Sequence, residues 1–449
     1  MRHGESNFNT AGLVQGRGNL DQPEKQSVLN AIGRSQAEST GLALSDLSFT
    51  AAYCSPLVRA QQTAAIILAA ATNPPPLQPQ AGLYEINLPD WESMTFEQVK
   101  AQFPDAYDKW QNAPHEMAMG DRYPVHDLFA QAKALWHQIL PQHQGETILL
   151  VGHSGINRAL IATALGLPPS EYHNLQQSNC AISVLNFSPS HGDRKDDQEL
   201  EFNAQLESLN LTTHLSALTG SVLPAMRKGH VGPRILLVRH GETEWNRQQR
   251  FQGQIDVPLN SKGQDQARCA AEFLQSVPID RSFTSPMLRP KETAEKILSK
   301  HPDVVLEYID ALKEISHGLW EGKFEHEIEA EFPGELLRWQ QNPGAVQMPE
   351  GENLEQVWDR VATAWQQMVN NIAPGTTALV VAHDAVNKAI LCQVFNLDPA
   401  SFWLFKQGNG GVSVIDYHKG SDRPPCLQAM NITTHLSGCV LDVTAAGAL

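Results

Sequence analysis

The chain has 449 residues, too many for one ordinary hydrophobic core, so two domains of roughly 200 residues each are expected. A formal net charge of −16, from 33 Lys and Arg against 49 Asp and Glu, argues against nucleic acid or an anionic membrane as a general partner; an anionic ligand would have to find local arginines. No apolar run reaches the ~18 residues that cross a bilayer, MRHGESNFN has no signal-peptide character, and the six cysteines form no C-x-x-C pair or zinc-like cluster, so a reduced, cytoplasmic protein is expected.

In chain order, the motifs of the first half return in the second. RHGESNFN (Arg2 to Asn9) is followed by VQG at Val14 and by AYCSPLVRAQQTA, in which Arg59 sits just inside an expected helix after a Ser-Pro turn. LYEINLPDWES places Glu85 in a loop, and TILLV reads as a buried strand that delivers His153 to the start of the helical pattern INRALIATAL. The charged run 191–201 reads as a solvated loop before the last strand of this half. After TTHL the stretch LTGSVLPAMRKGHVGP, Leu218 to Pro233, reads as a linker with its boundary near Met226.

The series then repeats. RILLV is a short apolar run ending at Arg239 and His240 of RHGETEWN; FQG follows; SFTSPMLRPKETA carries Arg289, LKEISHGLWEG carries Glu314, and TALVV delivers His383. Constant order at nearly constant spacing means tandem domains, residues 1–222 and 233–449. In open α/β sheets ligands bind outside the carboxyl ends of the strands, so His240 and His383 are expected at one crevice.

Two arginines suit a tetrahedral oxyanion, because the guanidinium fork donates paired hydrogen bonds and stays charged. The helix amino terminus expected near Pro286 would add its free N–H groups. A neutral imidazole is a competent nucleophile toward phosphorus. Glu314 could then protonate the leaving oxygen if its surroundings raise its pKa, and serve as base when water attacks the phosphohistidine. Nothing in this chemistry calls for a metal or another cofactor. Singly, each residue has a plain structural reading; five residue types in one order, twice, do not.

Together LVRHGETEWN, SPMLRPKETA, LKEISHGLWEG and VVAHDAVNKAI resemble the histidine phosphatase, or phosphoglycerate mutase-like, superfamily over almost the whole chain. The resemblance implies two tandem three-layer α/β/α domains. It implies His240 as phosphorylated nucleophile, Arg239, Arg289 and His383 as phosphate binders, Glu314 as proton donor, and Asn246 in the phosphate pocket. The counterparts in the first half are His3, Arg2, Arg59, His153, Glu85 and Asn9. The family's mutases carry an arginine and a Tyr-Gly pair after the acid; ISHGLWEG resembles the phosphatase branch instead. The expectation is a metal-independent phosphomonoesterase acting on a small phosphorylated metabolite, a sugar phosphate or sugar-acid phosphate. Mutase-type transfer and a non-catalytic phosphometabolite-binding module are the alternatives.

The first half departs from this pattern. No counterpart of RILLV precedes Arg2, which leaves a central slot empty and His3 on a loose terminus; Met1 aligns with Val238, and a start assigned downstream of the true one would account for it. Leu88, Pro89 and Ser93 replace His317, Gly318 and Gly322, and MPEGEN (Met348 to Asn353) has only MGDRYP opposite it. The first domain is either active on a different substrate or a degenerate copy that stabilises the second, with the copy favoured. Trp320, Trp339, Phe402 and Trp403 are assigned to core packing rather than to an aromatic substrate rim.

Overall fold

The computed structural model describes residues 1–18, 26–188 and 202–445; the charged run 191–201 lies outside the described residues. The chain forms two compact units, Met1–Ala204 with Asn210–Pro224 and Gln205–Leu209 with Ala225–Leu449. It passes from one to the other at Pro224, inside the stretch read as linker. No helix among the described residues is long and apolar enough to cross a membrane.

In the first unit β1 (Ala51–Cys54), β2 (Leu77–Pro79) and β3 (Ile148–Val151) form a parallel sheet in the order β2-β1-β3. The strand β4 (Ile182–Phe187) follows in this unit, and β5 (Ala204–Leu211) is divided, with Gln205–Leu209 belonging to the second. The second unit contains β6 (Arg234–Arg239), β7 (Arg281–Thr284), β8 (Leu306–Tyr308), β9 (Thr377–Ala382), β10 (Val412–Asp416) and β11 (Cys426–Ile432). Their order is β11-β10-β6-β9-β7-β8. Strands β6, β9, β7 and β8 are parallel neighbours, and β10 joins β6 antiparallel.

Strands β6 and β9 are buried at every residue, which explains why RILLV and TALVV are apolar throughout instead of alternating. Helices Ser261–Leu274 and Leu288–Leu298 pack as one pair, Leu354–Asn371 and Asp384–Val394 as another. The first pair follows crossovers running from β6 outward to β8, whereas the third helix returns from β8 to β9. Right-handed connections therefore put the pairs on opposite faces of the sheet, making three layers. Helix Leu354–Asn371 shows how the sequence selects its face: Leu354, Val357, Trp358, Val361, Ala364, Trp365 and Met368 are buried at three- and four-residue spacing, and Asn353 caps the amino end in a capping box with Gln356.

Among the described residues the first unit has no strand equivalent to β6, yet the slot is partly filled. Gly152 N donates to Met1 O at 2.9 Å and His3 N donates to Gly152 O at 3.0 Å, so residues 1–3 run beside the end of β3. His3, expected on a loose terminus, is instead buried.

Register in the second unit is pinned at its far end by a buried ion pair. Arg234 opens β6, Asp416 closes β10, and the fork is bidentate, Nε to Oδ1 at 2.7 Å and Nη2 to Oδ2 at 2.8 Å. Removing one partner strands a buried charge, so Asp416→Ala should cost about 3–5 kcal/mol, while Arg234→Met with Asp416→Leu should recover most of the loss. Calorimetric unfolding of the three proteins checks this; equal destabilisation by the single and double variants would contradict it.

Candidate active site

In the second unit, parallel pairing matches Arg239 of β6 with Ala382 of β9, so the next residues, His240 and His383, leave the sheet side by side. Their rings lie 5.2 Å apart, nearly edge to face, and both are buried. His240 Nδ1 is 2.7 Å from Gly241 O; a carbonyl only accepts, so Nδ1 carries the proton and Nε2 the lone pair. Arg289 Nε donates to that Nε2 at 3.3 Å. The guanidinium is held by Gly253 O at 2.8 Å and Ile255 O at 3.1 Å, contacts that fix its plane without neutralising it. Burial lowers the Arg289 pKa to about 10, which leaves it charged at neutral pH.

The cleft is lined by Arg239, His240, Asn246, Gln252, Gly253, Arg289, Glu314 and Asp384. Arg239 Nη1 donates to Gln407 O and pairs with Asp384 Oδ1 at 3.1 Å. Asn246 accepts through Oδ1 from Thr243 and Asn409, which leaves its Nδ2 for an anion. His383 occupies the N-cap position of its helix but makes no capping bond; its Nε2 lies 2.9 Å from Ser285 Oγ. Burial, followed by Arg289 and Arg239, depresses the His240 pKa well below 6.5, and burial followed by Arg289 does the same for His383.

Glu314 reaches the same cleft with Oε1 accepting from Ile315 N at 3.0 Å and Oε2 from Ala385 N at 3.3 Å. Burial and then the charge of Asp384 raise its pKa, against the opposing pull of Arg289. A helix amino terminus does serve the site, although a different one from that expected near Pro286. The Leu288 amide is taken by Asp256 Oδ1 at 2.7 Å, whereas the terminus that begins at Asp384 holds the acid.

The first unit assembles the same constellation. His3 Nδ1 is 2.7 Å from Gly4 O, Arg59 Nε donates to His3 Nε2 at 3.2 Å and Arg59 Nη2 to Gly16 O at 3.0 Å. The His3 and His153 rings lie 5.1 Å apart. Arg2 Nη1 donates to Gln177 O, and Asn9 Oδ1 accepts from Ser6 and Asn179. Glu85 accepts from Ile86, Gly155 and Ile156 amides.

The histidine phosphatase superfamily (branch 1) model matches residues 1–195 and 235–430. The chain belongs to the histidine phosphatase superfamily. Over 459 aligned residues it is 30% identical to 2-carboxy-D-arabinitol-1-phosphatase of Triticum aestivum, spanning 99% of this chain and 87% of that one. Phosphoserine phosphatase 1 of Hydrogenobacter thermophilus is 33% identical over 204 residues, 45% of this chain and 94% of its own. The solved structure of Bacillus stearothermophilus YhfR is 28% identical and covers 45% of this chain and 99% of its own, with a TM-score of 0.42. This histidine phosphatase is thus an enzyme of phosphate-ester chemistry, and its two family segments each carry one of the two residue constellations above.

Sequence reasoning missed the residues that hold the acid from behind. Arg360 donates to Ala311 O, Lys313 O and Glu314 O and pairs with Glu352, while Gln254 Nε2 donates to Glu314 O. In the first unit the roles are exchanged: Arg17 Nε takes Glu85 O, and Gln131 takes Gly82 O and Tyr84 O. That reciprocal Arg–Gln swap between the repeats was the available signal. The glycine of each RHG was another, since a Cβ on Gly241 would collide with Gly263 O, and one on Gly4 with Gly33 O. Trp320, Trp339 and Phe402 are fully buried and Trp403 packs edge-on against Phe402, which is core packing.

With the His240 pKa depressed, its ring NMR signals should remain those of a neutral imidazole as pH falls through 6.5. Half-protonation at or above 6.5 would contradict the geometry. By linkage the buried neutral rings favour the fold fully above about 6.5, and this contribution is lost as pH falls below it.

Proposed function

We propose that this histidine phosphatase hydrolyses small phosphorylated metabolites through a phosphohistidine on His240. The observation that carries the reading is the His240 tautomer: its lone pair is at Nε2, facing a cleft flanked by two buried arginines. Nε2 attacks phosphorus, the P–O bond to the substrate breaks, and Glu314 gives its proton to the departing oxygen. Water then attacks the phosphohistidine, Glu314 takes back a proton, and inorganic phosphate leaves with the imidazole restored. Arg239, Arg289, His383 and the Asn246 amide stabilise the charge on the transferring group, so the reading needs no metal.

The same roles in the first unit fall to His3 as nucleophile, Glu85 as acid and Arg2, Arg59, His153 and Asn9 as phosphate ligands. The Arg59 to His3 contact supports an active centre over a degenerate copy. A sugar phosphate or sugar-acid phosphate is the substrate class we favour. The support is full-length similarity to a relative named for 2-carboxy-D-arabinitol 1-phosphate, whose name is carried here only as a pointer to that class. A cytoplasmic setting goes with this reading.

Phosphate release from a panel of sugar and sugar-acid phosphates, with EDTA present, should fall on the order of 10⁴-fold or more in His3→Ala/His240→Ala. Release surviving in that double variant would sink the proposal, and phosphate passing to an added acceptor instead of water would favour a mutase. Glu314→Gln in the His3→Ala background should lose on the order of 10²–10⁴-fold on alkyl phosphates and far less on p-nitrophenyl phosphate, whose leaving group needs no proton.

A further inference from the structure

Next to the acid of the second unit lies a buried chain of charges with no counterpart in the first. Asp384 Oδ1 is 3.1 Å from Arg239 Nη1, and Asp384 Oδ2 is 2.7 Å from Lys388 Nζ one helical turn on. Asp384 and Lys388 are 3% and 5% exposed. The Lys388 ammonium in turn lies 4.7 Å from the ring centroid of Phe402 and 4.5 Å from that of Trp403. In the first unit the matching residues are Ser154 and Arg158. Arg158 turns its Nε to Leu175 O at 2.7 Å, and its guanidinium lies 5.6 Å from the centre of the Tyr172 ring.

Burying three charges is costly unless they are matched, and a site that needed only a phosphate pocket could do without them, as the first unit does. Their position explains their presence. Asp384 begins the helix whose second amide, Ala385 N, donates to Glu314 Oε2, so its carboxylate stands beside the acid. The groups facing Glu314 are Arg239 and His240 from β6, Arg289 from helix Leu288–Leu298, His383 and Asp384 from β9 and its helix, and Arg360 behind the main chain. Among the described residues, Asp384 is the one anion lining the cleft with Glu314.

We propose that Asp384 and Lys388 are positioning residues of the second centre: Asp384 fixes Arg239 and opposes ionisation of Glu314, and Lys388 holds Asp384 in place. This rests on the acid role given to Glu314 above. The two centres then differ in kind. The second retains its proton donor to higher pH and suits leaving groups that cannot depart as anions, whereas Ser154 gives the first no such device. The raised Glu314 pKa, with Asp384 among its causes, agrees.

The test uses the full chain carrying His3→Ala, so that release reports the second centre. Two variants are compared: Asp384→Ser/Lys388→Arg, which installs the first unit's pair, and Asp384→Asn/Lys388→Met, which leaves no unpaired buried charge. Profiles of kcat against pH are taken with glycerol 1-phosphate and p-nitrophenyl phosphate. The alkaline limb for glycerol 1-phosphate should move about one pH unit lower in both variants, a roughly tenfold loss on that limb, with less than about threefold change in kcat for p-nitrophenyl phosphate. KM should rise several-fold for both substrates as Arg239 loses its partner. An unchanged limb, or equal losses in kcat on both substrates, overturns the proposal. So does an Asp384 variant that alone abolishes leaving-group dependence while Glu314→Gln does not, since Asp384 would then be the donor. Phosphate release that persists after His240→Ala in the same background instead sinks the phosphohistidine reading, whatever the Asp384 variants do.

Discussion

Parallel pairing of β6 with β9 is the constraint on which the second centre depends. With Arg239 opposite Ala382, one residue of slip would set His240 level with Ala382 or Asp384 instead of His383, and turn side chains to the other face of the sheet. The full burial of both strands opposes that slip, and the Arg234–Asp416 fork holds β6 in register with its other neighbour, β10. Everything else in the cleft is set relative to the strand ends. Ser285 follows β7 and meets His383, and the close contact of Gly241 with Gly263 lets the chain turn directly after His240.

The strands and the chemistry were legible in the sequence for one reason: both depend on residue type and order. RILLV and TALVV announce buried parallel strands because a doubly covered strand has no solvent face to make polar. The histidines, arginines and glutamates announce themselves because they recur together. What was not legible depends on backbone groups, which every residue carries. Nothing in SPMLRP says that Arg289 will be held by Gly253 O and Ile255 O, or that the Leu288 amide will go to Asp256 and leave the cleft to the amino terminus at Asp384. The placement of His3 was misjudged for a related reason. In sequence a missing strand reads as a missing anchor, but the bond from His3 N to Gly152 O, the bond from Gly152 N to Met1 O and burial against Arg59 hold the residue.

The loop after the acid separates the units further. Gly318 has φ +54°, and a Cβ there would collide with Pro349 O, because the segment around Gly351 lies directly against it. Glu352 closes that contact by accepting from Ser316 N and pairing with Arg360. Pro89 cannot adopt a positive φ, so the first unit could not keep this arrangement at that position. Ser93 does keep the left-handed turn of Gly322, at φ +65°, in spite of its side chain. One part of the loop has therefore changed shape between the repeats while another retains its shape under mild strain, which is what divergence around a fixed glutamate would leave.

The cleft combines groups that would not stay together in water: two buried arginines, two buried histidines and a glutamate whose pKa burial raises. Burial makes this self-consistent. Desolvation and the neighbouring guanidiniums favour neutral imidazoles, while Arg289, lowered by burial to about 10, stays charged. On the proposed reading, an entering phosphate brings its negative charge to the two arginines. In return it finds donors already oriented by carbonyls that cannot follow it, so little reorganisation remains to be done when the phosphoryl group moves. In the second unit Asp384 complicates that balance, since an anion inside an anion-binding cleft weakens the pocket's net attraction. Its placement between Arg239 and Lys388 confines that cost.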